Sequence, residues 1–102
     1  MDNPTDVTKP EKYKFLLFVS GMSVKSGHAI ENLRIICDKY LANNFELEII
    51  DISRDTEQAI IHQIVAIPTL IKIGPAPRRI ILGDLSDKEK VLQILNLREQ
   101  IE

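Results

Sequence analysis

A chain of 102 residues, 44% hydrophobic and 27% charged, carries thirteen Lys and Arg against fifteen Asp and Glu, a formal net charge of -2. A chain of this length buries roughly two thirds of its unfolded surface and needs no metal or disulfide staple to fold. The pI near 5.7 excludes the strongly basic footprint of a nucleic-acid module and leaves proteins or small molecules as the expected partners.

Residues 1–12 hold Pro4, Pro10 and polar or charged side chains, with Val7 the one apolar residue after Met1. They are expected as a flexible polar tail ahead of a single domain over residues 13–102. Phe15-Leu16-Leu17-Phe18-Val19 is a continuous apolar run closed by Ser20-Gly21, the pattern of a central strand covered on both faces. Ala29, Ile30, Leu33, Ile36, Cys37, Tyr40 and Leu41 then repeat at helical spacing and predict a helix over about 24–42, ended by Asn43-Asn44. Phe45-Glu46-Leu47-Glu48-Ile49 alternates apolar and charged residues before Ile50-Asp51-Ile52. That is a half-exposed strand, parallel to the first because a helix separates them.

Ser53 or Asp55 can cap a second helix, kept short by Pro68, with Ala59, Ile60, Ile61 and Ile64 as its apolar stripe. Thr69-Leu70-Ile71-Lys72-Ile73 and Arg78-Arg79-Ile80-Ile81-Leu82 flank Gly74-Pro75-Ala76-Pro77, two β-branched runs about a proline turn and hence an antiparallel hairpin. Ser86-x-x-Glu89 reads as a capping box before Val91, Leu92, Ile94, Leu95 and Leu97 on a helical period. The order βαβαββα predicts an α/β fold, a four-stranded mixed sheet with helices on both faces.

Cys37 is the single cysteine and falls in the apolar stripe of the first helix, where it reads as a small core residue rather than a reactive thiolate. His28 and His62 are the two histidines, each on the polar side of a helix with no second ligand at metal-binding spacing. No metal or cofactor is expected. The N-terminal residues lack a basic stretch followed by an apolar one, and no run approaches a membrane span, so the expected location is the cytoplasm.

Val65-Ala66-Ile67-Pro68-Thr69-Leu70, at the start of a strand, resembles the cis-proline turn of the thioredoxin superfamily, whose core has the same βαβαββα order. Pro68 would be that cis-proline. A longer match runs over residues 14–97. Phe18-Val19-Ser20-Gly21, Ile50-Asp51-Ile52, Ile67-Pro68-Thr69-Leu70 and Pro77-Arg78-Arg79-Ile80-Ile81-Leu82-Gly83-Asp84-Leu85-Ser86-Asp87-Lys88-Glu89-Lys90-Val91-Leu92 together resemble the KaiB family of bacterial clock-type proteins. The resemblance implies a non-catalytic adaptor in biological rhythms that binds a KaiC-like hexameric ATPase in a thioredoxin-like state. It also implies a second arrangement of the same chain and assembly into dimers or tetramers. Exposed apolar residues such as Ile35 fit such self-association.

Three departures from cyanobacterial members bear on that expectation. Ile94 and Asn96 stand where those relatives have Gly and Asp, which favours the last helix and biases the chain toward the thioredoxin-like fold. His28 and Glu31 replace basic residues early in the first helix, and the longer acidic tail of those relatives is missing after Ile101-Glu102, so KaiC binding is expected to be weakened or lost.

Redox-active thioredoxins place Cys-x-x-Cys where the first strand meets the first helix, because the helix N-terminus stabilises the attacking thiolate. Here that place reads Ser23-Val24-Lys25-Ser26, which cannot form a disulfide; Ser23 reads as a helix N-cap. A non-enzyme is expected, with a partner surface of Ser23, Lys25, Arg34, Arg78 and Arg79. Arg78 and Arg79 point to opposite sheet faces, one free for an acidic partner and the other able to pair with Asp84 or Asp51. The alternative is an oxidoreductase-related stress-response protein that uses the same scaffold to bind a thiol compound or a redox partner.

Overall fold

Residues 12–97 are described by the computed structural model, in the order β1 (Tyr13–Val19), α1 (Val24–Tyr40), β2 (Phe45–Asp51), α2 (Thr56–Ile61), β3 (Thr69–Gly74), β4 (Arg79–Leu82) and α3 (Lys88–Leu95). The tail expected over residues 1–12 lies outside the described residues except for Lys12. A run of five apolar residues has no solvent face to offer, and all of residues 15–19 are buried. Such a strand must be interior, and the sheet order β2-β1-β3-β4 makes it so. β2 runs parallel to β1 with Ile50 opposite Phe18, β3 antiparallel to β1 with Leu70 opposite Leu17, and β4 antiparallel to β3 with Ile80 opposite Ile71.

The two-residue period of β1 divides the core. Phe15, Leu17 and Val19, with Leu70 and Ile81, meet Ala29, Leu33, Ile36 and Cys37 of α1 and Val91 and Leu95 of α3. On the other face Leu16, Phe18, Ile50 and Ile71 form a smaller cluster with Ile52, Ile64 and Ile67. The result is the expected α/β architecture, a four-stranded mixed sheet with its two longer helices on one face.

Several local details differ from the sequence reading. α1 stops at Tyr40, with Leu41 as its C-cap and Ala42 and Asn43 at φ 44° and 70°. α2 buries none of its residues: Ile60 and Ile61 are 75% and 59% exposed. Six residues are too few to lay a stripe on the sheet, and the second layer comes instead from the segment that follows, through Ile64 and Ile67. His62 is not a surface group; it is half-buried, its ring 5.4 Å from that of Phe18.

Asp55, not Ser53, caps α2 by accepting from the Gln58 amide, and the Ser53 hydroxyl donates to Asp51 instead. Asp87 caps α3 by accepting from the Lys90 amide, so Ser86 is not the start of a capping box. The Ile67–Pro68, Gly74–Pro75 and Ala76–Pro77 bonds are all cis, the last two in the β3–β4 hairpin. Among the described residues no helix is long and apolar enough to cross a membrane, and no group of three His, Cys, Asp or Glu is placed to hold a metal ion.

Candidate partner-binding surface

The β1–α1 corner is built from hydroxyl groups. Ser23 has extended backbone (φ -60°, ψ 150°) and its Oγ accepts from the Ser26 amide at 3.2 Å, satisfying one of the orphan donors at the start of α1. The Ser23 hydroxyl donates to Ser26 Oγ at 2.7 Å, and that oxygen accepts from the Ser20 amide at 3.1 Å. Ser26 is fully buried while Met22 and Val24 beside it are 99% and 73% exposed. Where a dithiol would sit, the chain has an inward-facing polar lock under two exposed apolar side chains.

Asp51, at the end of β2, ties this corner to the sheet. Its Oδ1 accepts from the Gly21 amide at 2.9 Å, the Ser53 amide at 3.0 Å and the Ser53 hydroxyl at 2.7 Å. These bonds to the ionised form, the Ser53 hydroxyl first, hold its carboxyl below the usual value. Gly21 takes φ +52°, a region open to glycine without strain, which turns its amide toward that carboxylate. Sequence inspection offers Asp51 as a partner for Arg78 or Arg79; the structure bonds it to Gly21 and Ser53 instead, a role that depends on the neighbouring turn.

Lys25 is exposed on the first turn of α1 and faces Asp84. The Asp84 carboxyl is held low, first by the side chain and backbone of Ser86 and then by the charges of Lys25 and His28. Asn32 Nδ2 donates to the Asp84 carbonyl at 2.9 Å, fastening the β4–α3 connection to α1. Arg34 is exposed farther along α1, and Ile35 next to it is 53% exposed.

Arg78 and Arg79 lie at the other end of the sheet. Arg79 is opposite Lys72, and Lys72 lies opposite Phe15 near the start of β1, whereas Ser23 and Lys25 follow its end. The five residues proposed from sequence therefore do not converge: Ser23 and Lys25 sit at one end, Arg78 and Arg79 at the other, with Arg34 on the helix between them. Neither arginine forms an ion pair among the described residues, since Asp51 and Asp84 bind the turns described above.

Lys72 escaped sequence reading. It is 3% exposed, with its ammonium 5.5 Å from the Tyr13 ring centroid, and burial followed by the charge of Arg79 pushes its pKa down. A lysine in an apolar strand reads as an outward position; here its stem is covered and two cations stand directly across the ladder from one another. In α3, Ile94 is half-buried against the main core in the last turn, and Asn96 is the left-handed C-cap at φ 58°.

Residues 16–97 match the KaiB domain. The circadian clock protein KaiB3 of Synechocystis sp. (strain ATCC 27184 / PCC 6803 / Kazusa) is 41% identical over 81 residues, 79% of each chain. The circadian clock oscillator protein KaiB of Gloeothece citriformis (strain PCC 7424) is 39% identical over 85 residues, 83% of this chain and 80% of its own. Among solved structures, the N-terminal domain of Synechococcus elongatus SasA superposes with a TM-score of 0.69 at 26% identity, covering 91% of both chains. The thioredoxin Deadhead of Drosophila melanogaster reaches 0.67 at 15% identity, covering 90% of this chain and 86% of its own, a likeness of fold alone. The fold is thus thioredoxin-like, and the identity carried by residues 16–97 makes this chain a member of the KaiB family of circadian clock proteins.

Proposed function

We propose that this KaiB-family chain is a non-catalytic adaptor whose partner is a KaiC-like hexameric ATPase. The observation that carries the reading is the β1–α1 corner of a thioredoxin-like fold: its redox position is filled by Ser23 and Ser26, whose hydroxyls are bonded to each other and to the Ser20 amide. What remains there for a partner is the shape and charge of the corner, including Lys25, and the exposed face of α1 that carries Arg34.

The charge pattern supports a retuned or weakened contact. His28 and Glu31, both exposed on α1, replace cationic positions of the cyanobacterial clock members, and a changed rim charge acts mainly on association rate and partner choice. Binding of a thiol compound is the weaker reading, because the Ser23 hydroxyl donates inward to Ser26 rather than outward to a thiolate.

Size-exclusion chromatography with light scattering tests this, using the protein alone and mixed with the KaiC-like ATPase of the same cell in ATP or in ADP. Co-elution in either nucleotide is the expected result. Separate elution in both, from a folded protein, overturns the adaptor assignment.

A further inference from the structure

Among the described residues Lys72 is the one buried side chain that carries a charge, at 3% exposure. An enclosed charge ordinarily has a counter-charge beside it. Lys72 has none among the described residues: no ion pair or hydrogen bond to an acidic group holds it, and its ammonium lies 5.5 Å from the Tyr13 ring centroid. The neighbouring charge it feels is that of Arg79, a second cation.

Strand pairing imposes this arrangement. Gly83 N donates to the Pro68 carbonyl at 2.9 Å, and counting by two from that pair brings Leu70 to Ile81 and Lys72 to Arg79. Lys72 and Arg79 therefore occupy a hydrogen-bonded position of the ladder, with Cα atoms about 5.5 Å apart and side chains on one face. Lys72 is also opposite Phe15, and Tyr13 packs on the same core as Phe15, so ammonium, guanidinium and phenol share one face at one end of the sheet. Like charges placed directly opposite weaken a sheet. The other face at this end is different: Lys14 has Glu46 opposite it in the ladder, and Lys12 pairs with the same Glu46 at 3.7 Å.

We propose that Lys72, Arg79 and Tyr13 form a binding site for a phosphate monoester carried on a small molecule. Two fixed cations match the double negative charge of that group, whereas a carboxylate brings one. The guanidinium offers a planar fork to two oxygens, the ammonium a point charge to a third, and the Tyr13 hydroxyl a further donor. A dianion between the two side chains replaces their mutual repulsion with two attractions. The site is at the far end of the sheet from Ser23 and Lys25, so it stands or falls apart from the adaptor reading.

The test is an amide NMR titration of the full chain with inorganic phosphate and then phenyl phosphate, above the second ionisation of a phosphate monoester near about pH 6. Sodium chloride holds ionic strength constant, so that general screening does not vary. Saturable shifts over Tyr13, Lys72 and Arg79 are expected, with a dissociation constant near about 1 mM. Phenyl sulfate, with one negative charge, binds at least tenfold more weakly than phenyl phosphate. Lys72→Met keeps a long apolar stem and removes the charge, and Arg79→Gln changes an exposed position; each weakens binding at least tenfold. Lys14→Gln, which removes one charge from the same end on the other face, leaves binding within twofold. Shifts that never saturate overturn the proposal, as do binding indifferent to Arg79→Gln, an equal loss in Lys14→Gln, or phenyl sulfate bound as tightly as phenyl phosphate.

Discussion

Cys37 shows how position in the fold governs a single side chain. It is fully enclosed between α1 and the sheet, and burial, with a smaller contribution from the charge of Asp38, pushes its thiol up to about 12. An unfolded thiol ionises near about 8.5. The folded state therefore resists ionisation, and the stability linked to Cys37 is complete below that value and lost as pH rises toward 12. Iodoacetamide at pH 8 should leave Cys37 unmodified in the folded protein and label it in urea; rapid labelling without denaturant would show the thiol is not enclosed. Lys72 is the cationic counterpart: its stem is buried, its ammonium lies 5.5 Å from the Tyr13 ring centroid, and burial, followed by the charge of Arg79 across the ladder, makes its charge harder to hold.

At the scale of the elements, short segments depend on their caps. α3 has eight residues and begins at a cap in which Asp87 accepts from the Lys90 amide. Asp87→Ala should cost about 1 kcal/mol, the usual loss for an N-cap. Ser86→Ala should cost less, because Ser86 serves the Asp84 turn and not the helix. Urea denaturation midpoints of the two variants decide between them: a larger loss for Ser86→Ala would restore the capping-box reading. α2 is the contrary case, a helix with a good cap at Asp55 and no buried residue, held in place by the chain on either side of it.

For the whole molecule, the main question is how firmly the chain keeps the thioredoxin-like arrangement. Two packings of one sequence can differ by a few kcal/mol. Ile94 packs on the main core in the last turn of α3, so Ile94→Gly removes buried apolar surface worth about 1 to 2 kcal/mol and adds a helix penalty of about 0.5 to 1 kcal/mol. Asn96→Asp acts on the left-handed C-cap, a conformation that asparagine tolerates well. Together they should bring up a second set of amide resonances in the NMR spectrum; one unchanged set would show that these two positions do not control the fold.

The order of elements, the central place of β1 and the enclosure of Cys37 were legible in the sequence because each rests on short-range periodicity: a five-residue apolar run, a helical stripe, two β-branched runs about a proline turn. The string from Pro77 to Leu92 carried the family likeness for the same reason, being contiguous. What spacing could not supply were relations between segments far apart in the chain. Asp51 meets Gly21 across thirty residues, Asn32 meets the Asp84 carbonyl across fifty-two, and Lys72 and Arg79 become neighbours only when β4 pairs with β3. The same holds for the candidate surface, whose residues the sheet sends to opposite ends because β3 runs back along β1 and carries the β3–β4 hairpin away from the corner at Ser23. Local sequence sets which residues can be buried; strand pairing decides which of them meet.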